Sequence, residues 1–372
     1  MKILLKNANI WNADHSFSQS RDLLICDGII ADIGENINAD VDCVIDIEGN
    51  YLIPGFIDVH THGRVGYDFN TANQEQMQIM KRSYISGGVT SVFPTLASDT
   101  LEGWRASLKN IAACGFDGIH LEGRYLSEKR RGAHAPHLLA PPNFDEVVDV
   151  LGGIDTPVHI SIAPELCGGY GFIKSATECG YTVGIAHTAA TADEAREALN
   201  LGAKSFTHLY NGMNPMHHRD GGVVCAALTG DAYCELIVDG LHSCPDMVKL
   251  AYKCVGKDRF VLITDSMAGA GYPDGDYSIA GQGVRVIDGR ALTADGALAG
   301  STLNMLDAVK NLIKFTGATL GDAVACATKN PAEMVGIYDK VGSVEKGKLA
   351  NVVVLDKELD IVRVLYRGEI YN

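Results

Sequence analysis

Eight short apolar runs, separated by longer amphipathic stretches, constrain this chain more than any other feature. They are Phe56–His60, Val89–Pro94, Gly118–Glu122, Val158–Pro164, Thr182–His187, Ser205–Leu209, Cys234–Asp239 and Phe260–Asp265. Several follow a glycine in a helix-ending position: Gly87-Gly88, Gly115, Gly180 and Gly202. Between two of them, Thr191-Ala192-Asp193-Glu194 reads as a capping box, with Ala195, Ala198 and Leu199 following at helical spacing. Alternating strand and helix units predict a parallel sheet. Eight such units predict an α/β fold of the (β/α)8 TIM-barrel type, whose functional groups gather at the C-terminal strand ends. The competing doubly wound sheet would carry a glycine-rich phosphate turn after its first strand, and none is present.

The two ends of the chain resemble each other instead. Residues 1–50 read as short strands, Ile3–Ile10, Asp22–Cys26 and Ile29–Ile33, with Asp27-Gly28 as a hairpin turn. The last residues carry Ala350–Leu355 and Ile361–Tyr366, closing on a Gly368-Glu369 turn. The expected organisation is a small β-sandwich domain built from residues 1–52 and 340–372, with the barrel, residues 53–339, inserted between. A length of 372 residues suits one large barrel plus a small appendage.

The polar residues at the ends of the apolar runs suggest chemistry. The first run ends in His60-Thr61-His62. On a strand, residues i and i+2 face the same side, so both imidazoles can address one centre. Later runs end in His120-Leu121-Glu122, Pro164-Glu165, His187-Thr188, His208, Asp239-Gly240-Leu241-His242 and Thr264-Asp265-Ser266. Each alone is a turn residue or a satisfied core histidine. Together, at one face of one barrel, they point to a hydrolase-type metal site.

Bulk properties narrow the partners. A net charge of −15 argues against nucleic acid or an anionic membrane as the main partner. No stretch approaches the roughly 18 uninterrupted apolar residues of a membrane span. Ten cysteines lie scattered without a C-x-x-C pair. Met1–Asn7 holds only a short apolar run before Lys6, unlike a secretory leader. Reduced thiols and a cytoplasmic location are the expectation.

The stretches PGFIDVHTHG (54–63), HLEGRYLSEKRRGAHAP (120–136), IAPE (162–165), AHTAAT (186–191), THLYNGM (207–213), VDGLH (238–242), TDSMAGAG (264–271) and LAGSTLNM (298–305) occur in one order along the chain. In these stretches the chain resembles the amidohydrolase superfamily and, within it, the N-acetylglucosamine-6-phosphate deacetylases. The resemblance implies a (β/α)8 barrel with a β-sandwich from both termini. It implies that Glu122, His187 and His208 bind the principal metal, with His60 and His62 at a second position. The superfamily's bridging lysine has no candidate at the end of the fourth run, and Glu122 takes its place. One or two divalent ions per subunit are implied, zinc first and iron or manganese as alternatives.

By the same resemblance, Asp265 is the catalytic aspartate, taking a proton from water and returning it to the sugar nitrogen. Ala133, His134, Asn211, Gly212, Arg219, His242, Leu298, Ala299 and Gly300 contact the substrate. His134 and His242 orient the sugar and the scissile group, and Arg219 with Asn211-Gly212 holds the phosphate. The run Lys129-Arg130-Arg131 is either a source of local positive potential or a solvated loop. A homodimer is implied, with Arg219 reaching a phosphate in its own cleft or a partner's. The chain departs from the family at Arg124-Tyr125, Asp220-Gly221 and Gly212. The alternatives are N-acetylgalactosamine 6-phosphate as substrate, another amide, or a non-catalytic sugar-phosphate binder.

Overall fold

A computed structural model describes residues 1–279 and 281–371. Its central sheet has eight parallel strands in sequential order: Phe56–Thr61, Val89–Ala97, Ile119–Glu122, Val158–Ile162, Thr182–Ile185, Ser205–Phe206, Tyr233–Ile237 and Phe260–Ile263, here strands one to eight. All eight expected runs are strands. Beyond strand eight, the Asp265 amide donates to the His60 carbonyl (2.9 Å) and the His62 amide to the Ser266 carbonyl (2.8 Å). Asp58 on strand one accepts from the Thr264 amide and hydroxyl. These bonds join the last strand to the first and close the barrel. Strand six has only two residues, and Phe206, fully buried, anchors it. A buried side chain of this size contributes roughly 1.5–3 kcal/mol.

Strands five to eight stop short of the expected ends. They finish at Ile185, Phe206, Ile237 and Ile263, so His187, His208, Asp239 and Asp265 stand two residues beyond the ladder. Between the strands run helices whose starts follow local rules. Ala192–Asn200 begins at the expected Thr191–Glu194 capping box, and Gln74–Ser86 begins at a second, Asn73–Gln76. Helix Leu101–Cys114 ends on Gly115 in the left-handed region, φ 62°.

Both chain ends enter one eight-stranded sheet. Lys2–Trp11 pairs antiparallel with Phe17–Cys26 and parallel with Cys43–Asp46 and the start of Tyr51–Pro54. Val352–Leu355 adds to Tyr51–Pro54, followed by Ile361–Tyr366 and Glu369–Tyr371. The hairpin turn falls at Asp27-Gly28, both at positive φ, as a two-residue loop of this kind requires. The final turn is Arg367-Gly368, one residue earlier than expected, and Glu369 opens the last strand. The sheet keeps its own apolar core, which includes Ile3, Leu5, Leu23, Ile25, Val352 and Val354. Buried Trp11 ties it to the barrel by donating to the Gly321 carbonyl at 3.0 Å.

A three-stranded antiparallel insert, Gly275–Ile279, Gln282–Ile287 and Arg290–Thr293, follows strand eight and was not anticipated. Its Asp288-Gly289 turn, again at positive φ, is a legible hairpin signal. Met267, Ile279, Val284, Val286, Ala291 and Ala299 pack together and hold the insert against the barrel mouth.

Candidate active site

The C-terminal end of the barrel gathers the histidines. His60 comes from strand one, His62 from the residue just after it, and Glu122 from the end of strand three. His187, His208 and Asp265 come from the turns after strands five, six and eight, and all six residues are buried. Three of these turns are strained: φ is 41° at His187, 33° at His208 and 47° at Asp265. Such backbone costs about 1–3 kcal/mol per residue and clusters at functional sites. It explains why the strands end early there. Backbone bonds hold the turns, including Ser301 N–H to Asp265 O (2.7 Å) and Ser127 N–H to His187 O (2.9 Å).

Glu122 lies between two histidine pairs. Its Oε1 is 3.2 Å from His187 Nε2 and 2.9 Å from His208 Nε2. Its Oε2 is 3.0 Å from His62 Nε2 and 3.3 Å from His60 Nε2. Asp265 Oδ1 sits on the second side, 3.3 Å from His62 and 3.5 Å from His60. Glu122 with His60 and His62, and Glu122 with His187 and His208, each converge closely enough to hold one ion. The donor set fits a divalent metal. The His60 and His62 Nε2 atoms are 3.3 Å apart and those of His187 and His208 are 3.1 Å apart, so neither pair can carry two Nε2 protons. Imidazole and carboxylate suit zinc, iron and other first-row ions. The other ring nitrogen of His187 donates to the Arg130 carbonyl at 2.7 Å, the orientation expected of a ligand whose Nε2 is bare.

Electrostatics sharpen the roles. Burial pushes the Asp265 carboxyl up, but His60 and His62 outweigh it and hold the group at about 2. Burial lowers His62, but Asp265 and Glu122 outweigh that and raise it to about 10. His134 is held down at about 4, chiefly by burial. Its Nδ1 lies 2.9 Å from Ser98 Oγ and accepts from the Ser98 amide at 3.3 Å. The Arg124 amide donates to that same hydroxyl, which leaves the Ser98 O–H free to donate to His134. His134 is therefore neutral with its proton on Nε2, a hydrogen-bond donor at the cleft. Gly123 permits the approach, since a Cβ there would stand 2.4 Å from the Ser98 nitrogen. His242 Nδ1 donates to Asp239 Oδ2 at 2.6 Å, and Asp239 outweighs burial in raising its pKa.

A cleft of about 150 Å3 opens over this cluster. It is lined by His62, Glu122, His187, His208 and Asp265, and by Ala133, His134, Asn211, Gly212, His242, Leu298, Ala299 and Gly300. His60 lies beneath it, fully buried. Arg219 is not brought in: it stands on the exposed loop after strand six, with its guanidinium against His218. The basic run is tied down, Arg130 to Asn214 and Arg131 to the His134 carbonyl. Glu165 accepts from Thr188 and the Ala189 amide and does not line the cleft. Sequence reasoning missed Ile279, carried into the cleft wall by the insert, and Ser98. It also gave no role to the polar layer below the site, His120, His159 and Glu235, whose signal is charged or polar residues inside apolar runs.

Comparison with known proteins places this geometry. The model of the amidohydrolase family matches residues 51–371. This chain belongs to the amidohydrolase family. The family is one of metal-dependent hydrolases. An N-acetylglucosamine-6-phosphate deacetylase of Lysinibacillus sphaericus is 34% identical over 100% of this chain and 98% of its own length. An N-acetylgalactosamine-6-phosphate deacetylase of Escherichia coli O157:H7 is 35% identical over 97% of this chain and 95% of its own. Among solved structures, a mutant N-acetyl-D-glucosamine-6-phosphate deacetylase of Mycobacterium smegmatis, in complex with N-acetyl-D-glucosamine-6-phosphate, superposes with a TM-score of 0.92. It is 30% identical and covers 100% of this chain and 99% of that one. Among the described residues of this amidohydrolase, no helix is long and apolar enough to cross a membrane.

Proposed function

We propose that this amidohydrolase removes the N-acetyl group of N-acetylglucosamine 6-phosphate, giving glucosamine 6-phosphate and acetate. One observation carries the reading: a single carboxylate, Glu122, spans two histidine pairs, with Asp265 beside one pair at the floor of the cleft. Glu122, His187 and His208 would hold one divalent ion, and His60, His62 and Glu122 a second, zinc being the first choice. Metal there supplies the positive charge that lowers the pKa of water to roughly 7 and polarises the acetyl carbonyl. Asp265, ionised at neutral pH, takes the proton of the attacking water and returns it to the leaving amine. His134, neutral and donating from Nε2, stabilises oxygen charge as the acetyl carbon becomes tetrahedral. His242, held by Asp239, orients the sugar.

Arg219 would serve a phosphate bound in the cleft of a second copy, because it is exposed and does not line its own cleft. The assembly in this reading is a cytoplasmic homodimer. Its catalytic unit is residues 53–339, and residues 1–52 with 340–372 form the smaller domain. The E. coli relative supports a second substrate, N-acetylgalactosamine 6-phosphate, which differs only at the C4 hydroxyl. Acetate release from both sugar phosphates tests the reading. The first predicts a higher kcat/KM for the gluco epimer. A higher value for the galacto epimer supports the second, and acetate from neither refutes both.

A further inference from the structure

Strand seven reads Tyr233-Cys234-Glu235-Leu236-Ile237, and its charged residue points into the barrel rather than to solvent: Glu235 is fully buried. An unpaired buried carboxylate is costly, so its partners matter. Glu235 Oε1 accepts from Ser205 Oγ at 2.7 Å. His159 Nε2 lies 3.2 Å from the same oxygen but outside hydrogen-bond geometry. Glu235 Oε2 has no hydrogen-bond partner among the described residues. The buried atom that faces it, 4.0 Å away, is His60 Nδ1, which has none either. His120, whose ring meets that of His60 edge-on, is already bound to Thr95 at Nδ1 and Ser161 at Nε2.

From this pairing of orphans we infer that Glu235 is a positioning residue: its free oxygen accepts the Nδ1 proton of His60 and so holds Nε2 bare toward the second cation position. The reasoning is one of proton count. An imidazole that gives Nε2 to a cation keeps its single ring proton on Nδ1, and metal-binding histidines donate that proton to a carboxylate, a backbone carbonyl or water. For His187 the acceptor is the Arg130 carbonyl. For His60 the fold offers Glu235. A charge-assisted bond of about 2.8 Å requires the pair to close by about 1 Å. The two cation positions thus differ in kind. The His187 side is oriented by backbone, and the His60 side by one buried carboxylate from strand seven. Occupancy of the second position then depends on Glu235, which touches neither ion nor substrate. The inference rests on the metal-dependent reading of the site.

Titration of the metal-stripped full chain with zinc against a competing chelator tests it. Wild type should bind two equivalents. Glu235→Gln, nearly isosteric, should weaken the second equivalent about 10- to 100-fold and leave the first as tight as before. A purely structural role would weaken both together. That outcome, no change at either site, or a wild type that binds a single equivalent overturns the inference. Should the variant not fold, a crystal structure of zinc-loaded wild type decides. A His60 Nδ1–Glu235 Oε2 separation near 2.8 Å supports the role, and two groups still apart, or a water between them, contradict it. Wild type that binds no zinc at all is a separate result, which removes the metal reading itself.

Discussion

At the residue scale, the site depends on side chains whose protonation is set by their neighbours. Asp265 is the sharpest case: its carboxyl is held at about 2, far below neutral pH, so it stands ionised beside His60 and His62. Asp265→Asn keeps its size and removes the proton acceptor. Its kcat should fall by about 10²–10⁴, the usual general acid–base contribution, while zinc content measured by elemental analysis stays at the wild-type value. Near-normal turnover would remove Asp265 from proton transfer. The clustered histidines, Glu122 and Asp265 were legible because polar residues at the ends of apolar runs are exceptions to the pattern around them. Ser98 and Glu235 were not assigned roles. Their importance lies in what they neighbour: Ser98 bonds His134, and Glu235 faces His60 from another strand of the barrel, both at long separation in sequence.

At the element scale, the eight strands were legible from the period of apolar runs and the glycines that end helices. The strand ends were not. The left-handed turns at His187, His208 and Asp265 cut the ladders two residues early, and backbone strain leaves no mark in an apolar pattern. The insert at 275–293 was missed although its Asp288-Gly289 turn was readable, because its strands are short and half exposed and lack the continuous apolar runs of the barrel strands. The loop after strand seven yields a pH prediction. Asp239 outweighs burial and raises His242 above its ordinary value of 6.5. Stability from this pair is therefore fully present below pH 6.5 and lost as pH rises through the raised value. Asp239→Asn keeps the acceptor for the 241 and 242 amides but loses the charge. It should cost about 1.5–3 kcal/mol of stability near pH 5.5 and less near pH 9, measured by denaturant unfolding at each pH. A cost that is the same at both would contradict the pairing.

At the scale of the whole molecule, one chain brings every expected site residue to a single cleft except His60, just beneath it, and Arg219. A phosphate deprived of an arginine loses about 1.5–3 kcal/mol, roughly ten- to a hundredfold in binding. Arg219→Ala should therefore raise KM for the phosphorylated sugar far more than for the unphosphorylated one, and sedimentation should find the enzyme dimeric. Equal effects on both sugars would remove arginine from phosphate recognition. The central claim is that histidine and Glu122 side chains hold metal for amide hydrolysis, and its most direct test is acetate release from N-acetylglucosamine 6-phosphate by protein stripped of metal and then reloaded. The stripped protein should be slower by at least about a hundredfold, the least expected from losing several kcal/mol of charge stabilisation, and zinc should restore the rate. Equal rates with and without metal would contradict the account.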